Sequence, residues 1–435
     1  MWSSNVSIGN ELSISGISAS SLAEEFATPV FILDESDFFA RANAWDHALK
    51  HAFGDKAGTV YYAAKAFICT EVARWIKEIG IGIDVCTGGE FAVALAGGIE
   101  PAKIEFHGNN KSVAEIEKAV SVGVRTIVID SLIEIERVSA AAKKFGKVQK
   151  ILLRLTPGIE AHTHESIATA HEDVKFGFSI ASGAAWKAIE EVRKHSSIEL
   201  RGFHAHIGSQ ILDTYSFEVS AERLISLLAK YRDAFGVELP ELDLGGGYGI
   251  HYLPGDEELS PEIAMTAIAT KVISKCTLHD LAVPLISIEP GRAIVGPTMF
   301  TLYEVGTVKD VVLENGDNRR YISVDGGMSE NIRPALYAAE YTAILANRTS
   351  EHELIPTRLV GKHCETGDIL IRDIALASDI APGDLLATPA TGAYGRSMAS
   401  NYNHTPRPPV IAVKNGKARV IVRRETEFDL LGLDI

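Results

Sequence analysis

The chain has 435 residues, 46% hydrophobic and 23% charged, an ordinary balance for a globular protein with room for two domains. Its net charge of −15 argues against non-specific nucleic-acid binding and against adhesion to anionic membranes. Cys69, Cys86, Cys276 and Cys364 form no C-x-x-C pair, so neither a disulfide framework nor a zinc site is signalled. No basic residue precedes Arg41 and no apolar run is long enough to span a bilayer, so the cytoplasm is the expected compartment.

Residues 1–26 are Ser-rich and weakly patterned. Residues 28–33 read as a strand, and a helix is expected to start near Ser36. From Val60 a βα rhythm begins. Its eight apolar runs are 60–64, 83–85, 104–106, 126–129, 151–155, 203–207, 242–244 and 285–288. Helical patterns lie between them, and Gly80, Gly98, Gly123 and Gly146 stand where a helix should end. Eight strands alternating with helices outline an α/β fold, a (β/α)8 TIM-type barrel, whose chemistry sits at the C-terminal ends of the strands. At those ends stand Lys65, Asp84, His107 with Asn109, Asp130, Arg154, His206, the run Gly245-Gly246-Gly247, and Glu289. Strand starts are 52 residues apart between Ile151 and Phe203. The excess lies in residues 158–178, a polar stretch with His162, His164 and His171 that reads as a functional loop.

After Pro297 the rhythm changes. Short β-type runs at 300–305, 307–312, 320–324, 358–360, 368–374, 385–388, 410–414 and 418–423 predict a second, mainly β domain. Helical patches interrupt them at 334–345 and 394–400. Asn315-Gly316 and Asn415-Gly416 are hairpin signals.

Several residues bear on chemistry. Lys65 ends a strand among small and apolar neighbours, where desolvation would make it a nucleophile towards an aldehyde; a solvated strand-end lysine is the plain alternative. Glu289-Pro290-Gly291-Arg292 offers a carboxylate for a protonated pyridine nitrogen and an arginine for a carboxylate, or else a structural ion pair at a turn. Gly245-Gly246-Gly247-Tyr248-Gly249 lies in the loop that binds phosphate in such barrels. Strand alternation places His204 and His206 on one face, where an imidazole could stack on a flat ring while Ser209 binds phosphate. A metal pair is the rival reading, and no carboxylate or Cys cluster at ligand spacing accompanies it, so no metal is expected.

Tyr62-Ala63-Ala64-Lys65-Ala66-Phe67, His206-Ile207-Gly208-Ser209, the glycine run, Glu289-Pro290-Gly291-Arg292 and His363-Cys364-Glu365 stand in one order. Together they resemble the fold-type III pyridoxal-phosphate decarboxylases, from about Thr28 to the C-terminus. Asp84-Val85-Cys86-Thr87-Gly88-Gly89-Glu90, His107-Gly108-Asn109-Asn110-Lys111-Ser112 and Glu160-Ala161-His162-Thr163-His164-Glu165 resemble the branch acting on meso-2,6-diaminopimelate, in its actinobacterial form. The resemblance implies an alanine racemase/ornithine decarboxylase-like fold, with a pyridoxal-phosphate-binding barrel over 34–296 and a β domain from 1–33 plus 297–435. It implies the last step of lysine biosynthesis: loss of CO2 to give L-lysine, with pyridoxal 5'-phosphate as cofactor. Lys65 would be the Schiff-base lysine, His206 would stack on the ring, and Asp84 and Arg154 would line the site. Ser209, Gly246, Gly247, Glu289, Gly291, Arg292 and Tyr394 would hold phosphate and ring. Arg292, Arg333, Tyr337, Glu365 and Tyr394 would bind substrate. Cys364 would donate the proton from a second subunit, in a homodimer with composite sites. A racemase would have arginine opposite the ring nitrogen, so Glu289 favours decarboxylation. Thr366, where the family usually has Ser, and Gly395-Arg396 depart from the pattern at the rim. Two other readings stay open. One is a decarboxylase for ornithine, lysine or carboxynorspermidine. The other is a non-enzymatic pyridoxal-phosphate carrier, a class that typically lacks the β domain, Lys65 or Cys364.

Overall fold

The structure is a computed structural model and describes residues 1–158 and 175–435. It divides into two compact units. One comprises residues 41–249 and 258–292; the other comprises residues 1–40, 250–257 and 293–435.

The first unit is a closed parallel barrel. Its strands are Ala57–Ala63, Gly82–Val85, Ile104–Phe106, Thr126–Ile129, Gln149–Thr156, Ile198–His204, Glu241–Asp243 and Leu285–Ile288. Pairing of Ile286 with Ala57 and of Ile288 with Val60 joins the eighth strand to the first. Every residue of the second, third and fourth strands is buried. A parallel strand covered on both faces reads as a near-continuous apolar run rather than an alternating one, which is why these runs stand out in the sequence although Asp84, Glu105 and Thr126 are buried within them. The sixth strand stops at His204, so residues 205–207 of its apolar run already belong to the loop beyond.

Helix ends follow their chemistry. Ser112 and Glu115 form a reciprocal capping box for Val113–Val122, and Gly123 closes that helix at φ 84°. Buried Lys111 donates to Glu134 Oε1 at 2.6 Å and to the carbonyls of Gly108 and Val128 at 2.7 and 2.6 Å. It thereby ties the loop after the third strand to the fourth strand and its helix. A further short strand, Phe178–Ser179, pairs in parallel with Leu155 and Thr156. Most of the loop read at 158–178, with His162, His164 and His171, lies outside the described residues.

The second unit is mainly β. Met299–Val312 pairs antiparallel with Asn318–Val324, Leu385–Thr388 and Val30–Asp34. The sequence suggested separate runs at 300–305 and 307–312. They are one strand, because the ladder continues through a register shift at Gly306. Val410–Lys414 and Lys417–Val422 form a hairpin over Asn415 (φ 51°) and Gly416 (φ 69°), as their turn residues require. The weakly patterned N-terminus also has structure: three short strands, Val6–Ile8, Leu12–Ile14 and Ile17–Ser18, and the helix Ala19–Phe26. Leu12, Ile14 and Leu22 enter the core of this unit beside Ile32, Phe300 and Ile411. The two helical patches are shorter than expected: Arg333–Tyr337 is helical and Arg396–Met398 is a 3-10 turn.

Candidate active site

The barrel's strand ends converge on a dry, charged centre. Asp84 is the penultimate residue of the second strand, His107 follows the third, His204 ends the sixth and Glu289 follows the eighth. All four are buried. Glu289 Oε1 lies 3.1 Å from His107 Nε2 and 3.0 Å from His204 Nε2. Burial pushes the Glu289 carboxyl up, but His107 and His204 outweigh it and hold it well below the usual carboxylate range. Burial also opposes charge on His107, yet Glu289 and Asp84 raise it to about 10. On His204 burial prevails and lowers it to about 4. The centre thus holds an anionic Glu289, a cationic His107 and a neutral His204. The paired histidines 204 and 206 showed no carboxylate at ligand spacing in the sequence; the fold brings Glu289 to His204 from another strand. His107, a strand-end residue without an assigned role, proves central.

Lys65 lies just past the first strand, its Nζ 3.9 Å from Asp84 Oδ2. Its side chain keeps 34% exposure, so the sequence expectation of a lysine desolvated by apolar neighbours gives way to a half-exposed lysine beside a buried carboxylate. Burial raises the Asp84 carboxyl and Lys65 opposes that rise. Burial and the charges of Lys65 and Arg154 hold His206 well below its ordinary value, so its ring is neutral. Arg154 lies with its guanidinium 4.4 Å from the centre of the Phe176 ring and 3.9 Å from Asp130.

The glycine run forms a cradle. The Gly246 N–H donates to His206 Nδ1 at 3.2 Å. A Cβ on Gly246 would lie 2.1 Å from the Glu289 carbonyl, and one on Gly247 (φ 110°) 2.3 Å from that of Gly208. Only glycine fits at either position. Arg292 Nη2 donates to Ser209 Oγ at 2.8 Å, which brings the 289–292 turn to the loop after the sixth strand. A Cβ on Gly291 would meet Ala63 at 2.8 Å. Lys65, Asp84, Arg154, His206, Ser209, Gly246, Gly247, Glu289, Gly291 and Arg292 therefore share one end of the barrel unit.

The β unit carries the remaining candidates. Arg333 is buried against two aromatic rings, 4.8 Å from Tyr252 and 5.4 Å from Tyr341 by ring centre, and donates to the Tyr341 hydroxyl. Neither tyrosine stood out in the sequence, since nothing local marks them. Tyr337 closes the same short helix and is half-buried. Tyr394 is half-buried with φ 62°. Gly395 after it is demanded by packing, because a Cβ there would lie 2.6 Å from the Thr391 carbonyl. Cys364 and Glu365 are exposed. Their turn is anchored on both sides: the His363 N–H donates to Asp368 Oδ2 at 2.8 Å, and His363 Nε2 contacts Ser329 Oγ at 2.8 Å.

These residues suit a pyridine cofactor bearing a phosphate. Glu289 is a buried anion at the barrel end, the glycine run allows a close backbone approach that admits no Cβ, and Lys65 offers an amine.

Comparison with known proteins agrees. Residues 35–296 match the family described as pyridoxal-dependent decarboxylase, pyridoxal binding domain. Diaminopimelate decarboxylase of Mycobacterium tuberculosis is 53% identical over 428 residues, covering 97% of this chain and 94% of that one. Diaminopimelate decarboxylase of M. jannaschii, solved with L-lysine, is similar in structure with a TM-score of 0.92 at 30% identity, covering 100% of this chain and 99% of that one. The lysine/ornithine decarboxylase of Vibrio vulnificus shares the fold, with a TM-score of 0.75 at 23% identity over 91% of this chain and 97% of that one. The chain belongs to the pyridoxal-dependent decarboxylases, and among them to the diaminopimelate decarboxylase family.

Proposed function

We propose that this protein removes CO2 from meso-2,6-diaminopimelate to give L-lysine, using pyridoxal 5'-phosphate, as a cytoplasmic homodimer with composite sites. The observation that carries the chemistry is Glu289, buried yet held anionic, at the barrel end that also holds Lys65 and the glycine cradle. When bound, pyridoxal phosphate supplies an anchor for the substrate amine and an electron sink for the bond that releases CO2.

The chain's own residues do the rest. Lys65 would hold the cofactor through its amine. Glu289 would pair with the ring nitrogen and favour its protonated form, which strengthens the sink. Neutral His206 would stack on the ring without adding charge, and Asp84 and Arg154 would line the site. Ser209, Gly246, Gly247, Gly291, Arg292 and Tyr394 bind the phosphate and frame the ring. Arg292 and Tyr394 also face the substrate, with Arg333, Tyr337 and Glu365 at its far end. Cys364 delivers a proton to the carbon that lost CO2. Its exposure on an anchored turn supports delivery into the site of a second subunit. The cofactor-binding segment is placed at 34–296, of which 34–40, 250–257 and 293–296 belong to the compact β unit, and the substrate-facing β domain at 1–33 with 297–435. Among the described residues no helix is long and apolar enough to cross a membrane, which is compatible with the cytoplasmic assignment.

The test is borohydride reduction of the holoprotein followed by peptide mapping. The cofactor should be fixed on Lys65. Label on another lysine, or none, overturns the cofactor assignment and the proposed reaction with it.

A further inference from the structure

We propose that His107 and His204 are positioning residues that clamp one oxygen of Glu289 from within the barrel and so aim its carboxylate at the cofactor's ring nitrogen. The inference rests on the reading of Glu289 as the partner of that nitrogen.

Both imidazoles address the same atom, Glu289 Oε1, at 3.1 and 3.0 Å. The two rings meet edge to face, with centroids 4.9 Å apart and planes at 69°. His107 is 3% exposed, His204 0% and Glu289 2%, so water cannot take over either contact. The histidines come from different strands, and the clamp therefore exists only when the barrel is closed.

The surroundings explain why two histidines are needed. Carboxylate oxygens of Glu105, Asp243 and Glu289 lie within 4.8 Å of one another, all buried. Three anions that close in a dry interior do not stay ionised together. Burial, with Glu289 beside them, raises the carboxyls of both Asp243 and Glu105, and Glu105 Oε2 lies 3.5 Å from His107 Nε2. His107 brings the positive charge that lets Glu289 remain the anion of the group. His204 adds a neutral ring on the other side, holding the carboxylate without a second charge. The other titratable groups around this pair are Asp84, which acts on His107, Arg154, which acts on His204, and His206, on which His204 acts. A carboxylate held in place at the ring nitrogen keeps that nitrogen protonated, and the strength of the electron sink depends on it.

The experiment compares holoprotein of the wild type, His107→Phe, His204→Phe, the milder His107→Gln and His204→Gln, and Glu289→Gln. The readouts are the bound cofactor's absorption from pH 6 to 10, the dissociation constant for pyridoxal phosphate, and kcat and KM separately. The histidine variants should weaken cofactor binding and lower kcat by about 10–100-fold, the range that loss of an outer partner costs at metal sites. They should leave KM nearly unchanged and shift the cofactor's spectral titration to lower pH, in the direction of Glu289→Gln. If the Phe variants do not fold, the Gln variants decide on the same readouts. Folded histidine variants with wild-type affinity and spectrum, beside an altered Glu289→Gln, overturn the clamp and leave the Glu289 assignment standing. A wild-type spectrum in Glu289→Gln overturns both. A wild type that binds no pyridoxal phosphate removes the functional reading itself.

Discussion

In the proposed reaction, Arg333 together with Glu365 would set the choice of substrate at its distal end, and Arg333 offers the sharper test. It is buried between Tyr252 and Tyr341, and a fixed guanidinium can receive a distal carboxylate in two hydrogen bonds. Arg333→Ala should lower kcat/KM for meso-diaminopimelate by about two to three orders of magnitude, on roughly 3–4 kcal/mol for a lost bidentate contact. Turnover of lysine or ornithine, which lack that carboxylate, should fall much less, and the cofactor spectrum should stay the same. Equal losses on all three substrates would place Arg333 at the α-carboxylate or in the fold. His107 gives a second measurement at this scale. Its folded value of about 10 lies above its unfolded 6.5, so its ion contact stabilises fully below about pH 6.5 and fades as pH rises towards 10. The gap in urea midpoint between wild type and His107→Gln, both without cofactor, should therefore be widest near pH 6.5 and narrow by pH 10. A gap that is flat or that widens would contradict a cationic His107. Lys65 and Glu289 were legible in the sequence because each stands at the end of an apolar run. The partners of Glu289 and Arg333 were not, because they arrive from elements remote in the chain.

Elements were legible where burial dictates the pattern. The second to fourth barrel strands announce themselves as short apolar runs because they are buried throughout, whereas the sixth shares only residues 203 and 204 with its run, since Glu199 is exposed and Arg201 half-buried. The N-terminal strands of two or three residues are too short to show a period, although Leu12 and Ile14 are core residues. Gly306 interrupts a run without ending the strand, because the ladder absorbs the irregularity. The join between the third and fourth barrel strands offers a test at this scale. Lys111 and Glu134 form a buried pair at 2.6 Å, with side chains 1% and 4% exposed. Removing one partner leaves an unpaired buried charge, so Lys111→Met should cost about 3–5 kcal/mol by urea unfolding. Adding Glu134→Leu should restore much of that loss. A single variant as stable as wild type would show that the pair is not what fastens this corner.

At the scale of the whole molecule, Lys65 belongs to the barrel unit and Cys364 to the β unit. If Cys364 serves a second subunit, inactive Lys65→Ala and inactive Cys364→Ala should restore part of the activity when mixed, because a hybrid holds one intact site. No recovery while subunits demonstrably exchange would mean that each site is built from one chain. The proposed reaction itself is tested most directly by CO2 release from meso-diaminopimelate, ornithine and lysine side by side, with and without added pyridoxal phosphate. The predicted result is cofactor-dependent release from meso-diaminopimelate, matched mole for mole by L-lysine and exceeding the other two by orders of magnitude. Equal or greater release from ornithine or lysine, or release that ignores the cofactor, would contradict it.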